Sequence, residues 1–148
     1  MAIYNREDSR TVLPQLEKRV ESLEEKSDAI GTVYSDTKSV AISNTSIDHN
    51  TDGASITVPA GKYIVVGQWQ FNTRSSTGVT NSAVRLYRSG SGDNIAQTRI
   101  VAGASNWNCL QCTAIVELKQ TETLKVCGAT SIAYTTAQNT VITAIRIA

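Results

Sequence analysis

A surplus of basic residues, a long apolar run and an even set of cysteines are all missing from this 148-residue chain, and each absence excludes a class of protein. The net charge is +1 and the basic residues form no stripe, so there is no electrostatic reason to expect nucleic-acid binding. No apolar run is long enough to span a bilayer, so membrane insertion is not expected. Three cysteines are an odd number, which argues against a disulfide framework.

A signal peptide and a catalytic motif are also missing. The first ten residues, MAIYNREDSR, contain no apolar segment of the kind that a signal peptide needs, so we expect synthesis in the cytoplasm without that route of export. Histidine occurs once, as His49, and no serine or cysteine can be placed beside it from the sequence. We therefore expect a protein that is not an enzyme and that needs no cofactor.

In the segment at 13–30, LPQLEKRVESLEEKSDAI, the positions at alternating spacings of three and four are apolar except for Ser27, which is the heptad pattern of a coiled coil. In a parallel arrangement Arg19 of one chain would face Glu24 of its neighbour with opposite charge. A lone helix of about 17 residues is marginal in water, so this seam needs partners. An amphipathic helix packed on its own domain is the alternative. The seam residues are Leu13, Leu16, Val20, Leu23 and Ile30.

After Gly31, which is well placed to end the helix, the apolar period changes to two. Turn signals separate about eight or nine short runs of this kind, as expected for a mainly β chain with many small polar residues. The pattern predicts an antiparallel jelly-roll sandwich. The predicted organisation is a flexible leader at 1–12, a coiled-coil helix at 13–31 and a jelly-roll head at 32–148.

Alternation along the strands predicts which side chains point inward. In the run at 62–72 the inner set begins at Tyr63 and ends at Phe71, while Ile64 and Val66 make the opposite face apolar where the run starts. A second inner set runs from Leu110 to Leu118.

The last run, at 141–148, is apolar on both faces. We assign Val141, Ile145 and Ile147 to the core. We expect the opposite face to be covered either by a second layer of the same chain or by a neighbouring protomer. With the second option, the predicted oligomer interface of the head consists of Ile64, Val66, Ile142 and Ala144.

Four segments resemble the compact jelly-roll heads of the C1q and tumour-necrosis-factor type. They are VPAGKYIVVGQWQFNT at 58–73, NSAVRLYRSG at 81–90, SNWNCLQCTAIVELKQTETLKV at 105–126 and VITAIRI at 141–147. Similar heads stand at the C-terminus of phage tail-fibre and baseplate proteins. Thr121-Glu122 occupies the turn where such heads usually carry Gly-Asp. The resemblance implies a homotrimer on a stalk, located in a virion.

By this resemblance the chain would be a structural and binding protein that recognises a host-surface glycan or protein and attaches to other tail or baseplate proteins. One alternative is a trimerisation scaffold or adaptor that docks other virion proteins. Another is a secreted C1q-like lectin-type domain, against which the missing signal peptide counts.

Weak candidates for ligand contact are aromatic and polar residues in or near predicted turns. Trp107 could stack on a sugar ring, although in the resembling heads a tryptophan at this place covers the edge of the sandwich. The candidate set is Trp107, Asn106, Tyr87, Tyr134 and Arg74.

Two further motifs have ordinary structural explanations. Cys109 and Cys112 form a C-x-x-C, but an offset of three in a strand places the two sulfurs on opposite faces, so we expect no metal or redox site there. The run from Asp48 to Gly53 matches the opening of a calcium loop, but Pro59 stands where the bidentate glutamate is required. The sequence leaves open whether this turn binds an ion.

Overall fold

The computed structural model describes residues 6–48, 50–72, 80–102, 107–132 and 134–148. Within these residues the chain forms one helix followed by eight strands. The elements are α1 Arg6–Ala29, β1 Val33–Ile42, β2 Thr51–Val58, β3 Gly61–Asn72, β4 Thr80–Arg88, β5 Asn94–Ala102, β6 Trp107–Leu118, β7 Glu122–Thr130 and β8 Tyr134–Arg146.

Helix α1 begins at Arg6, so the prediction of a flexible leader up to residue 12 is wrong from that residue onward. Pro14 lies inside the helix, beyond its first turn. Its ring nitrogen forfeits one backbone hydrogen bond, but the helix continues on both sides. The end of α1 agrees with the sequence: Gly31 has a φ of 86°, in the left-handed region that suits a glycine after a helix.

The apolar seam of α1 is not covered by the rest of the chain. Leu13, Leu16, Val20 and Leu23 are all exposed, so the helix does not pack on its own domain through these residues. The alternative of an amphipathic helix packed on the head is therefore wrong for the single chain. Among the described residues, no helix is both long enough and apolar enough to cross a bilayer.

The strands form two four-stranded antiparallel sheets that confirm the predicted jelly-roll sandwich. Sheet A has the order β1-β8-β3-β6, and sheet B has the order β2-β7-β4-β5. Helix α1 joins the sandwich at the end where β3 begins and β6 finishes, which we call the helix end. Strands β6 and β8 begin at the opposite end, which we call the far end.

The core between the sheets confirms the inner faces predicted for β3 and β6. Tyr63 and Trp69 of β3, and Val116 of β6, are fully or almost fully buried. From sheet B, Val84, Leu86, Leu124 and Val126 pack against them in one cluster. The side chains that alternation placed inside are therefore inside, because each sheet has one face on the core.

The face assignment of β8 is wrong. Ile142 and Ala144 are completely buried in the chain's own core, whereas Ile145 is 39% exposed on the outside. Register explains this result, because Ile142 lies opposite Gly67 and Ala144 opposite Val65, both on the inner face of β3. Ile142 and Ala144 are thus not a surface that a neighbouring protomer can reach, and within the described part of the chain no second layer covers the outer face at Ile145.

Trp69 joins the two sheets through a close fit against glycines. A Cβ atom on Gly128 of β7 would lie 2.6 Å from the Trp69 ring, and one on Gly53 of β2 would lie 2.9 Å from it. Beside the ring, the Thr140 hydroxyl of β8 accepts a hydrogen bond from Ala54 N at 2.9 Å and donates one to Lys38 O at 2.8 Å. This contact ties both sheets together where the β2–β7 register shifts, between Asp52 and Ser55.

We expect Gly128→Ala to lower the free energy of unfolding by about 1–3 kcal/mol, because the added methyl group overpacks the Trp69 site. Gly90→Ala is the matched control, since no atom lies within 4 Å of the added Cβ and its backbone is not left-handed. Urea denaturation of both variants at one protein concentration measures the difference. Equal stability of the two variants would contradict the fit described for Trp69.

Candidate binding surfaces

An apolar row crosses the outer face of sheet A. Val33 lies opposite Ile145, Ile145 lies opposite Ile64, and Ile64 lies opposite Ile115, so the four side chains align across all four strands. Ile115 is 66% exposed, Val33 is exposed, and Ile64 is half-buried. Contiguous exposed aliphatic side chains mark interaction surfaces more often than isolated ones do. We call these four residues the apolar row.

The apolar row lies at the helix end, beside the last residue of the predicted seam. Ile30 is exposed, and Val33 begins β1 three residues later. Gly31 N donates a hydrogen bond to Arg146 O at 2.8 Å, which fixes this junction to the end of β8. Val66 lies one row further from the helix, opposite Thr143 and Thr113, and is half-buried. Of the four head residues predicted to form an interface, Ile64 and Val66 therefore face outward.

The outer face of sheet B carries a polar cluster instead. Arg85 of β4 is only 4% exposed, and its guanidinium donates to Gln97 Oε1 at 2.7 Å, to Ile47 O at 2.9 Å and to Asn50 Oδ1. Asn50 Nδ2 in turn donates to the Tyr87 hydroxyl at 2.8 Å. Ile47 and Asn50 belong to the connection between β1 and β2, so Arg85 holds that connection against the sheet. A buried guanidinium is tolerated here because each of its three nitrogens donates a hydrogen bond.

Asp52 extends this cluster with an ion pair and a thiol contact. Lys125 Nζ donates to its carboxylate at 2.8 Å and Cys127 Sγ at 3.2 Å. Burial alone would raise the pKa of the Asp52 carboxyl, but the hydrogen bonds from Lys125 and Cys127 and the charges of Lys125 and Lys38 hold it below its ordinary value. The hydrogen bond to Asp52 raises the pKa of Lys125 against the opposing effect of burial.

The same contacts argue against an ion in the Asp48–Asp52 turn. The Asn50 side-chain oxygen faces the Arg85 guanidinium, and the Asp52 carboxylate faces Lys125. Asp48 Oδ1 lies 3.9 Å from the Arg99 guanidinium. A cation would meet two positive charges where the calcium-loop pattern requires free oxygens. Within the residues that the structure describes, no three histidine, cysteine, aspartate or glutamate side chains are grouped as metal ligands would be; His49 lies outside them.

The ligand candidates taken from the sequence are not brought together. Tyr87 lies on sheet B within the polar cluster, near the helix end. Trp107 and Tyr134 begin β6 and β8 at the far end, where their backbones pair with Asn72 and Ile42. Asn106 and Arg74 lie outside the described residues. Alternation had no means of finding the Arg85 cluster, because its partners come from a loop about 35 residues away in sequence.

The cysteines occupy the positions predicted for them. Cys109 is exposed on the outer face of β6, whereas Cys112 is buried, so their sulfurs lie on opposite faces of the strand. Burial raises the pKa of the Cys112 thiol to about 11. Burial, with the hydrogen bond to the Asp52 carboxylate, raises the pKa of the Cys127 thiol to about 12. Both buried thiols are therefore protonated and inert near neutral pH.

No family profile matches the chain, and no curated relative matches it by sequence. It is similar to a chain in the structure of the Gx strain of infectious bursal disease virus, with a TM-score of 0.55 and 15% identity over 78% of this chain and 33% of that one. A chain of the VP2 subviral particle of the same virus gives a TM-score of 0.50 and 14% identity over 78% and 32%. The globular domain of zebrafish complement 1qA protein is covered over 97% of its length, with 78% of this chain, a TM-score of 0.46 and 10% identity.

At these identities the likeness to the viral chains shows the fold alone, a jelly roll. The chain spans about a third of the length of those viral chains. The shared architecture therefore gives the class of fold, and any role has to be argued from the surfaces described above.

We expect one of the three thiols of the native protein to react with a thiol reagent at pH 8, because only Cys109 is exposed. All three should react after unfolding in guanidinium. Cys109→Ser should abolish the native reaction with little loss of stability. Cys112→Ser should cost about 1–3 kcal/mol, because a more polar hydroxyl group replaces the thiol in the buried core. Rapid reaction of two or three native thiols would contradict the burial described here.

We expect Asp52→Asn to reduce the fall in the free energy of unfolding as the pH is lowered. A carboxyl whose pKa is lower in the folded state stabilises the protein above its ordinary value of 3.8, and this contribution is lost as the pH falls through the folded-state pKa. The loss at pH 7 should be about 1 kcal/mol or less, because the Asp52 side chain is 58% exposed. Urea denaturation between pH 2 and 7 measures it, with Asp48→Asn as the control. Parallel curves for wild type and Asp52→Asn would contradict the ion pair.

Proposed function

We propose that the chain is a homotrimeric structural and binding protein of a virion, a phage or prophage tail-fibre or baseplate component that recognises a glycan or protein on the host surface. Its role is binding rather than catalysis, and it attaches to other tail or baseplate proteins. The observation that carries the proposal is the exposed apolar row on sheet A, next to an exposed helical seam. Copies of the same chain can bury both of these apolar surfaces at one end of the molecule.

The positions of helix α1 and sheet A support an oligomer in which the helical seams and the apolar rows pack around the same axis. The seam from Leu13 to Ile30 is solvent-exposed in the single chain and has the spacing of a coiled coil. The apolar row begins three residues after Ile30, so one helix bundle and one set of packed heads can bury both surfaces. Burial of each exposed aliphatic side chain contributes roughly 1.5–3 kcal/mol.

The far end supports the recognition part of the proposal. The far end lies opposite the helix, so the stalk leaves it free to meet a cell surface. The backbones of Trp107 and Tyr134 enter their strands there. An adaptor that only docks other virion proteins would keep the same assembly surfaces without needing a ligand. Binding of the purified protein to whole host cells, compared with non-host cells, separates these two roles.

We expect Ile115→Asp to dissociate or weaken the oligomer without unfolding the head, because the side chain is 66% exposed in one chain and becomes a buried charge only in the assembly. Sedimentation velocity should give three times the 15.9 kDa chain mass for the wild type and smaller species for the variant. Circular dichroism should show the same β content in both.

The matched control is Gln111→Glu, which adds a charge to the same face of the same strand, outside the apolar row. It should leave the oligomer intact. A wild type that sediments as a monomer, or an Ile115→Asp variant with an unchanged oligomer, would contradict the proposed assembly through sheet A.

A further inference from the structure

A polar cleft lies at the helix end, between the turn that joins β4 to β5 and the turn that joins β6 to β7. Its volume is about 650 Å³, which lies inside the range of roughly 300–1,000 Å³ typical of small-molecule sites. Neither the ligand candidates from the sequence nor the polar cluster on sheet B belongs to it. We call it the turn cleft. Its side chains include Arg88, Ser91, Asp93, Gln120, Glu122 and Thr123.

Backbone hydrogen bonds fix the walls of the turn cleft. Ser89 N donates to Thr123 O at 2.9 Å, which joins the two turns to each other. Arg88 N donates to Asp93 O at 3.0 Å, and Gly92 N donates to Arg88 O at 2.9 Å. Gly92 has a φ of 72°, which closes this tight turn at little steric cost. A site held in this way loses little conformational freedom when a ligand binds.

Arg88 and Glu122 place a charged donor beside a charged acceptor in the turn cleft. Their Nη1 and Oε1 atoms are 3.9 Å apart, which is longer than a hydrogen bond, and their side chains are 30% and 21% exposed. Arg88 Nη2 donates to Glu117 O at 3.3 Å, so the guanidinium is anchored on one side. A ligand lying alongside this loose ion pair, rather than between its two atoms, can accept a hydrogen bond from Arg88 Nη1 and donate one to Glu122 Oε1.

The charges around the cleft restrict the ligand class. An anion would meet the carboxylates of Glu122 and Asp93, and a simple cation would meet the Arg88 guanidinium. A hydroxyl group both donates and accepts, so a pair of neighbouring hydroxyls satisfies both members of the pair without a net charge. Sugar rings carry such pairs, and the serine, threonine and glutamine side chains of the walls add further neutral partners.

We propose that the turn cleft binds a neutral saccharide, with Arg88 donating to one ring hydroxyl and Glu122 accepting from its neighbour. This inference rests on the proposed binding role, because it names a saccharide as the ligand. The saccharide contact at the helix end would be separate from any contact at the far end, where Trp107 and Tyr134 begin their strands.

The test uses the full chain and measures binding of maltose, lactose and N,N′-diacetylchitobiose by calorimetry, together with a printed array of neutral and acidic glycans. Saturable binding of a neutral saccharide is expected, with NMR shifts at the amides of Gly90, Gly92 and Thr123. Arg88→Gln and Glu122→Gln should each weaken binding about tenfold or more, since each removes a charge-assisted hydrogen bond.

Arg99→Gln is the matched control, because Arg99 also lies 3.9 Å from a carboxylate, that of Asp48, but outside the cleft. It should leave the affinity unchanged, and all three variants should melt within a few degrees of the wild type.

Three results would overturn the inference. Saccharide binding that both cleft variants retain, with amide shifts only at the far end, would disprove the turn cleft while leaving the proposed binding role intact. A preference for acidic glycans would contradict the charge argument. Absence of any saccharide binding in the array and the panel would also overturn it, and host-cell binding by the same protein would then point to a protein receptor. Loss of host-cell binding together with a monomeric wild type would instead mean that the proposed function itself is wrong.

Discussion

The sandwich depends on the fit of Trp69 into a space that two glycines leave open. The indole extends from sheet A and occupies the volume that side chains at Gly53 and Gly128 of sheet B would fill. The reverse fit occurs nearby, where a Cβ on Gly67 of sheet A would lie 2.7 Å from Leu86 of sheet B. Because interiors are close-packed, these paired large and small residues fix how the sheets lie against each other. The Thr140 hydroxyl adds a polar bond across the same region.

The two outer faces of the sandwich differ in how far one chain completes them. On sheet B the connection between β1 and β2 covers the surface, and Arg85 binds it through Asn50 and the Ile47 carbonyl. On sheet A the apolar row stays exposed, and the seam of α1 is exposed at the same end. A chain with one closed face and one open apolar face is suited to assembly, since copies can bury what the single chain leaves in water.

Under the proposed function, this division also separates the surface for assembly from the surface for recognition. The apolar row occupies a flat sheet face, whereas the turn cleft lies between two hairpin turns whose backbones are cross-bonded. The far end remains available for a second contact. The charged side chains differ in the same way. Arg85 and Lys125 donate hydrogen bonds within the polar cluster of sheet B. Arg88 and Glu122 lie side by side in the turn cleft without a hydrogen bond between Nη1 and Oε1. The loosely paired charges of Arg88 and Glu122 suit a polar ligand. The exposed aliphatic side chains of the apolar row suit another copy of the chain.

The sequence by itself determined the class of fold, the inner faces of β3 and β6, the heptad spacing of α1 and the opposite orientation of Cys109 and Cys112. These features follow from local period, since alternation along a strand and spacing along a helix need only a few neighbouring residues. The sequence did not determine the bounds of every strand, since the last one begins at Tyr134 rather than at Val141. It did not determine where α1 begins, because Pro14 is compatible with a first turn and with a longer helix. It assigned Ile142 to the wrong face, since β8 is apolar on both sides and only its pairing with β3 decides which side meets the core. The polar cluster, the apolar row and the turn cleft were decided by tertiary structure alone. Each of them joins side chains from strands or turns far apart in sequence, and the register that brings those together is a property of the whole fold.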